Sequence, residues 1–298
     1  SVRKLSESCA VSAITVERAY RQLAKDQVVS YVKGKGYYVA CEPTSKLNIL
    51  LVFNKLSSYK RKIYYSLLAA LGENANVDLH VHHYNPKIFR QIISDNLGKY
   101  NYYVVMPHFF NDSAKDEYLG VLQSIPGNEL VLLDKTLPEL EDGFISVFQD
   151  FENDLYDALE SVSDILEKYH SIAIIFSSES NHPPEIIKGA DRFCKKYRKD
   201  LIILESITDE SLIKGTVYIS TSETELAELV KKGRTMNFVA GKDIGIISFN
   251  ETALKELLDI TVISTDWHHM GVTAGELILK GQNRQVKNPF MIIRRSSL

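Results

Sequence analysis

Lys33 and Lys35, spaced around Gly34, and the run Ala13, Ile14, Thr15, Arg18 and Gln22 are the residues whose types and order suit contact with a polyanion. Within Ser12 to Leu23, the residues Val16, Ala19, Tyr20 and Leu23 fall at i, i+3, i+4 and i+7, which marks one inward face of a helix. The remaining side chains then point outward near the helix N-terminus, the end that reads base edges in a major groove. Lys33 and Lys35 are placed to reach phosphate or an adjacent minor groove. A second group suits a polyol: planar amides and carboxylates hydrogen-bond neighbouring hydroxyls, and an aromatic plate covers a C–H face. Trp267, Phe109 and Phe110 are candidates for that plate, with burial in a core as the rival reading of each. His80 and His82 share a strand face, but no acid or thiolate is marked nearby. A solvated or packed strand end is expected there, with no metal site. The chain has no G-x-x-x-x-G-K-[ST] loop, no G-x-S-x-G elbow and no H-E-x-x-H. No enzymatic activity and no cofactor are expected.

The elements that must position these residues fall into two segments. Residues 1–46 hold eight Lys/Arg (Arg3, Lys4, Arg18, Arg21, Lys25, Lys33, Lys35, Lys46) against four acids (Glu7, Glu17, Asp26, Glu42), although the whole chain of 298 residues nets −3. A small basic head therefore precedes an acidic body, as expected where only one segment meets a polyanion. In the head, Ser12 stands as an N-cap after the break Cys9-Ala10-Val11, and a preceding amphipathic piece carries Val2 and Leu5. Two β-type runs, Val28 to Val32 and Tyr37 to Ala40, are joined by Lys33-Gly34-Lys35-Gly36, whose glycines permit a hairpin turn.

In the body, short apolar runs begin at Leu47, Asp78, Tyr102, Glu129, Ser171, Leu201, Val217 and Ile244. They alternate with helical spacing over 60–71, 88–97, 155–169 and 185–197. That alternation predicts an α/β fold with parallel sheets in two lobes. Ligands of such sheets bind beyond the carboxyl ends of strands, so the loops starting at Asn54, Pro107, Asp134, Ser177, Thr221 and Asn250 are the candidate site. No apolar stretch approaches the roughly 18 residues of a membrane span. Cys9, Cys41 and Cys194 lie far apart without a Cys-x-x-Cys pair, which fits a reducing cytoplasm and no membrane partner.

Several stretches carry resemblances. Ser1-Val2-Arg3-Lys4-Leu5-Ser6, Val11 to Val16, Ala19-Tyr20-Arg21-Gln22-Leu23 and Lys33-Gly34-Lys35-Gly36-Tyr37-Tyr38-Val39 resemble the winged-helix DNA-binding module of the gluconate-repressor superfamily. The resemblance implies a winged helix-turn-helix over 1–42 whose first helix lies upstream of Ser1. Arg3, Ser12, Thr15 and Gly34 to Gly36 match its DNA-contacting places, while Ala13 and Glu17 depart from its common basic residues. The stretches Asp243 to Glu251, Val262 to Asp266, Gly271 to Leu279, Val131 to Lys135 and Val147-Phe148-Gln149-Asp150 are similar to lactose-repressor-type effector domains, relatives of periplasmic sugar-binding proteins. This implies a two-lobed effector and dimerisation domain over 47–298 after a linker at 43–46. Its ligand contacts would be Asn54, Ser57, His108, Gln149, Asp150, Thr221, Asn250 and Trp267 or Thr265, with Phe109 added as an aromatic plate. The combination, similar in architecture to arabinose-responsive repressors, implies a homodimeric regulator, a repressor by expectation. Its partners would be double-stranded operator DNA and a monosaccharide such as a pentose or deoxyhexose. A sugar-binding or sugar-modifying α/β protein without regulatory coupling is the alternative.

Overall fold

A computed structural model describes residues 2–25, 28–32, 36–39, 46–109, 115–177 and 182–298. Lys33, Gly34, Lys35, Phe110 and linker residues 43–45 lie outside the described residues. Two compact units divide the chain, Ser1–Leu47 and Asn48–Leu298.

In the first unit, helix α1 (Val2–Cys9) is followed by α2 (Ala13–Lys25). Ala10 makes the break with a left-handed φ of 51°. The Ser12 hydroxyl then accepts from the Thr15 N–H at 3.1 Å, capping α2. Strands β1 (Val29–Val32) and β2 (Gly36–Val39) form an antiparallel hairpin, Val29 opposite Val39 and Val32 opposite Gly36. Gly36 takes a φ of 96°, which a side chain would strain. Tyr37 of β2 stacks on Tyr20 of α2 with ring centroids 4.7 Å apart. The expected inward stripe of α2 is only partly covered: Val16 is buried, but Ala19 and Leu23 are exposed. A unit this small has little core with which to cover a full helical face.

The second unit opens with β3 (Leu47–Phe53), α3 (Ser58–Leu71), β4 (Ala75–Val81), α4 (Pro86–Asn96), β5 (Tyr102–Val105), α5 (Lys115–Gln123), β6 (Leu130–Asp134) and β7 (Ile145–Phe148). It continues through α6 (Phe151–Glu160), α7 (Ser163–Leu166), β8 (Ser171–Ile175), α8 (Glu185–Tyr197), β9 (Asp200–Leu204), β10 (Thr216–Ser220) and α9 (Glu223–Thr235). It closes with β11 (Gly245–Phe249), α10 (Ala253–Leu257), β12 (Thr261–Thr265), α11 (Trp267–Lys280), β13 (Gln285–Lys287) and β14 (Phe290–Ile293).

These strands form two six-stranded sheets, ordered β13-β7-β6-β5-β3-β4 and β14-β12-β11-β10-β8-β9. The α/β, two-lobed expectation holds. Strands β6, β8, β10, β11 and β12 are buried at every residue, as parallel strands covered on both faces must be, which is why they read as unbroken apolar runs. One core lies under Leu50, Val52, Phe89, Tyr103 and Leu132 in the first lobe. The second lobe has a core on each face of its sheet, around Ile172, Phe193 and Ile247 and around Ala173, Tyr218 and Val262.

The single helix expected over 155–169 is instead two, α6 and α7, because the chain turns at Ser161 and Val162. The chain crosses between lobes three times, before α6, before α11 and between β13 and β14. Helix α11 follows a strand of the second sheet yet packs on α3 of the first lobe. Gly271 makes this possible, since a Cβ there would lie 2.5 Å from the Ile63 carbonyl oxygen.

Candidate functional site

Between the lobes is a cleft of about 540 Å³. The strand-end loops build it, and most of them lead into helices with capped N-termini. Ser57 accepts from the Lys60 N–H, Ser222 and Glu225 form a capping box, Thr252 accepts from the Lys255 N–H, and Asp266 accepts from the His269 N–H. Each of these four loops is thus fixed at both ends, by a sheet and by a capped helix.

The floor of the cleft in the first lobe is a buried polar network centred on Asp134. Its Oδ2 accepts from His108 Nε2 at 2.9 Å and lies 3.4 Å from Lys60 Nζ, and its Oδ1 accepts from Gln149 Nε2. Asp134 sits at a left-handed φ of 77°, and its carbonyl accepts the Gln149 N–H at 3.0 Å. Burial would raise the Asp134 pKa, but the Lys60 charge and the His108 and Gln149 hydrogen bonds outweigh it and hold the carboxyl well below the usual range. Burial lowers the amine of Lys60, whose residue is 2% exposed, while Asp134 opposes the shift. His108 is also lowered, chiefly by burial. Behind it, His82 is pushed down to about 4 by burial and keeps one hydrogen-bonding contact, Nε2 to the Met106 carbonyl at 3.2 Å.

Across the cleft, His182 is likewise lowered to about 4 by burial. Thr221 bonds the Ile175 carbonyl and the Glu225 carboxylate. Asn250 adopts a φ of 66°, and buried Lys255 fixes this turn by donating to the carbonyls of Phe249 at 2.5 Å and Asn250 at 3.0 Å.

At the hinge side, the Trp267 ring stacks on Tyr59 at 4.9 Å, and Lys60 Nζ lies 5.1 Å from its centroid. Only 6% of Trp267 is exposed, so it lines the cleft as a largely covered ring and not as an open plate. Among the described residues, two buried polar atoms of the lining have no hydrogen-bond partner: Asn54 Oδ1 and Trp267 Nε1. Unmet hydrogen bonds in a lined cavity mark where a ligand's own donors and acceptors belong.

Of the residues expected to contact a ligand, Asn54, Ser57, His108, Gln149, Thr221, Asn250 and Trp267 all line this cleft. Three expected residues do not. Phe109 packs inward, stacked on Tyr118 at 4.3 Å and against His82, where an apolar ring gains most by burial. Asp150 caps α6, accepting from the Asn153 N–H. Thr265 bonds Asn288 and the Pro289 carbonyl in the hinge. Lys55, Tyr59, Lys60, Tyr84 and His182 line the cleft without a signal in the sequence reading, because each is contributed by a helix start or loop of ordinary composition. Asp134 carried one as a strand-end loop, but its charge network is visible only in three dimensions. Among the described residues, no group of three or more His, Cys, Asp or Glu is gathered to hold a metal, and no helix is long and apolar enough to cross a membrane.

The paired sheets, the triple crossing and the cleft define a two-lobed α/β fold. No known family profile and no curated protein matches the sequence. Solved structures do match the fold. The trehalose repressor from Escherichia coli is 14% identical, covering 83% of this chain and 100% of its own, at a TM-score of 0.66. The Escherichia coli transcriptional repressor ascG is 16% identical over 85% of this chain and 99% of its own, at 0.65. A LacI family regulator from Lactobacillus casei, solved with bound glucose, is 13% identical over 84% of this chain and 99% of its own, at 0.63.

Proposed function

We propose that the protein is a cytoplasmic transcription regulator, a repressor, whose affinity for double-stranded operator DNA is set by a small hydroxylated effector bound in the cleft. The observation that carries this reading is the pair of buried, unpartnered polar atoms, Asn54 Oδ1 and Trp267 Nε1, in a cleft between lobes of a fold that structurally similar sugar-bound and repressor proteins share. The chemistry of the site is that of binding. Asp134, its most strongly perturbed acid, is engaged by Lys60, His108 and Gln149 and is thereby a fixed acceptor network and not a free base.

The first unit is read as a winged helix-turn-helix. Support comes from its helix, turn, helix and hairpin order and from the outward N-terminal face of α2, where Ile14 is 66% exposed and Ala13, Thr15 and Arg18 are exposed beside it. Arg3 is exposed on α1 and pairs with Glu7 at 3.2 Å, a contact that phosphate would displace at little cost. The operator is two-fold related and the regulator is a homodimer. An effector that binds one lobe arrangement better than the other shifts the equilibrium between DNA-binding and released states.

The test is fluorescence anisotropy of the intact protein with promoter DNA at several salt concentrations, with and without a panel of monosaccharides and their derivatives. Binding that weakens steeply with salt and shifts about 5- to 150-fold with one effector is the expected result. DNA affinity indifferent to salt and to every effector that binds the cleft overturns it.

A further inference from the structure

Among the described residues of the cleft, two buried polar atoms, Asn54 Oδ1 and Trp267 Nε1, lack a hydrogen-bond partner, and one cation, Lys55, lacks a counter-ion. Lys55, half-buried, lies 5.9 Å from the Tyr84 ring centroid and beside the side chains of Tyr59 and Tyr84. Among the described residues, no carboxylate pairs with it. The other two cleft lysines are already engaged, Lys60 by Asp134 and Lys255 by two carbonyls. Of the three cleft acids, Asp134 is engaged by its network and Glu225 by the N–H groups of Thr221 and Ser222, while the exposed Glu223 belongs to the second lobe, where its charge acts on Lys255 and not on Lys55. Burial alone would lower the Lys55 amine, yet the two tyrosines outweigh it and raise its pKa, so it stays a cation.

Lys55 lies three residues before the start of α3, a 14-residue helix whose first N–H groups, those of Ser58 and Tyr59, have no acceptor within the helix. This end carries the positive pole of the helix dipole. An independent observation points to a ligand at the same place. Trp267 Nε1 is a buried donor without a partner, and its ring stacks on Tyr59, whose side chain also lies beside Lys55. Next to Lys55 in the chain, Asn54 Oδ1 is a buried acceptor without a partner, which calls for a hydroxyl donor.

Building on the effector reading above, we propose that the cleft selects an anionic, hydroxylated ligand, a sugar acid or sugar phosphate, whose acid group sits among Lys55, the Trp267 N–H and the first turn of α3 while a hydroxyl meets Asn54. Neutral sugars satisfy Asn54 but leave the cation without a counter-charge. Carboxylate and phosphate share the chemistry that this end of the cleft recognises.

Calorimetry on the full chain with three arms tests the proposal: neutral pentoses and hexoses, their sugar acids, and their phosphate monoesters. A member of one acidic arm binds at least about tenfold more tightly than its neutral parent, and its affinity falls with added salt. The arm that binds assigns carboxylate or phosphate. Lys55→Met weakens that acid about ten- to hundredfold, and Lys55→Arg keeps it within a few-fold. Trp267→Phe, which retains an aromatic ring against Tyr59 and removes the N–H, also weakens it. Melting curves of the unliganded variants establish that they fold. Neutral sugars that bind as tightly as their acids, or acid binding undiminished in a folded Lys55→Met variant, overturn the anion site and leave the effector reading standing. Absence of binding in every arm overturns both.

Discussion

Asn288 Nδ2 donates to Thr265 Oγ1 at 2.8 Å, tying the third crossing between the lobes to the second. The same amide donates to the Asp266 carbonyl at 2.9 Å, and the backbone N–H of Asn288 donates to the Phe148 carbonyl at 2.7 Å, which brings in the first crossing. One buried side chain and its backbone therefore hold all three connections in register. Asn288→Ala strands the Thr265 and Asp266 acceptors and is expected to cost about 1–3 kcal/mol. Guanidinium denaturation measures it. An unchanged midpoint would show that these bonds are replaced by water.

Lys60 and Asp134 form the ion pair beneath the cleft, with both residues almost fully buried. Removing one partner leaves a charge without its counter-ion, so Lys60→Met is expected to destabilise the fold by about 3–5 kcal/mol. Asp134→Asn in the same background removes that stranded charge and is expected to recover part of the loss. A double-mutant cycle on unfolding free energies decides the matter, and purely additive effects would mean that the pair is not coupled.

Acid weakens the fold through its buried histidines. His82 has a folded pKa near 4 against an ordinary 6.5, so between those values the unfolded chain takes up a proton that the folded chain refuses. Stability is therefore fully present above pH 6.5 and falls as pH drops towards 4, by up to about 3 kcal/mol from this residue. His182 shifts in the same direction. Unfolding midpoints at pH 7.5 and 5 should differ, and His82→Leu should narrow the gap. A gap that His82→Leu leaves unchanged would assign the acid sensitivity elsewhere.

The sheets were legible in the sequence wherever both faces of a strand are buried, since Leu130 to Leu133 or Ile244 to Phe249 can be little else than a core strand. Ile145 to Phe148 escaped as a strand because Ser146, buried in a central position, interrupts the apolar run. The edge strand β13 has one apolar residue in three, and the edge strand β14, though apolar throughout, is only four residues long, too short a run to stand out. At the site, positions directly following strands, such as Asn54, Thr221 and Asn250, were readable from the rule that ligands meet strand ends. Lys60 was not: it lies in the first turn of α3 and reads as a solvated helix residue until Asp134, 74 positions later, is folded against it.

The contact of α11 with α3 yields the last expectation, because it ties a stability defect to the cleft. A Cβ on Gly271 would lie 2.0 Å from Ser66 Oγ and 2.5 Å from the Ile63 carbonyl oxygen. The hydroxyl can rotate away, but the carbonyl belongs to the α3 backbone, so Gly271→Ala must push the helices apart. Overpacking of this kind costs about 1–3 kcal/mol, and more where backbone must move. Trp267 sits one turn earlier on α11 and stacks on Tyr59 of α3, so the same displacement should loosen that stack. Trp267 is the sole tryptophan, which makes intrinsic fluorescence a direct readout of the cleft. Gly120→Ala is the control: it lies in α5 with open space around it, and replacing a helical glycine there is expected to stabilise by about 0.5–1 kcal/mol. Denaturation followed by tryptophan emission should show Gly271→Ala less stable with an altered native spectrum, and Gly120→Ala at least as stable with the native spectrum retained. Gly271→Ala matching the wild type in both would mean that the two helices are not held at this close approach.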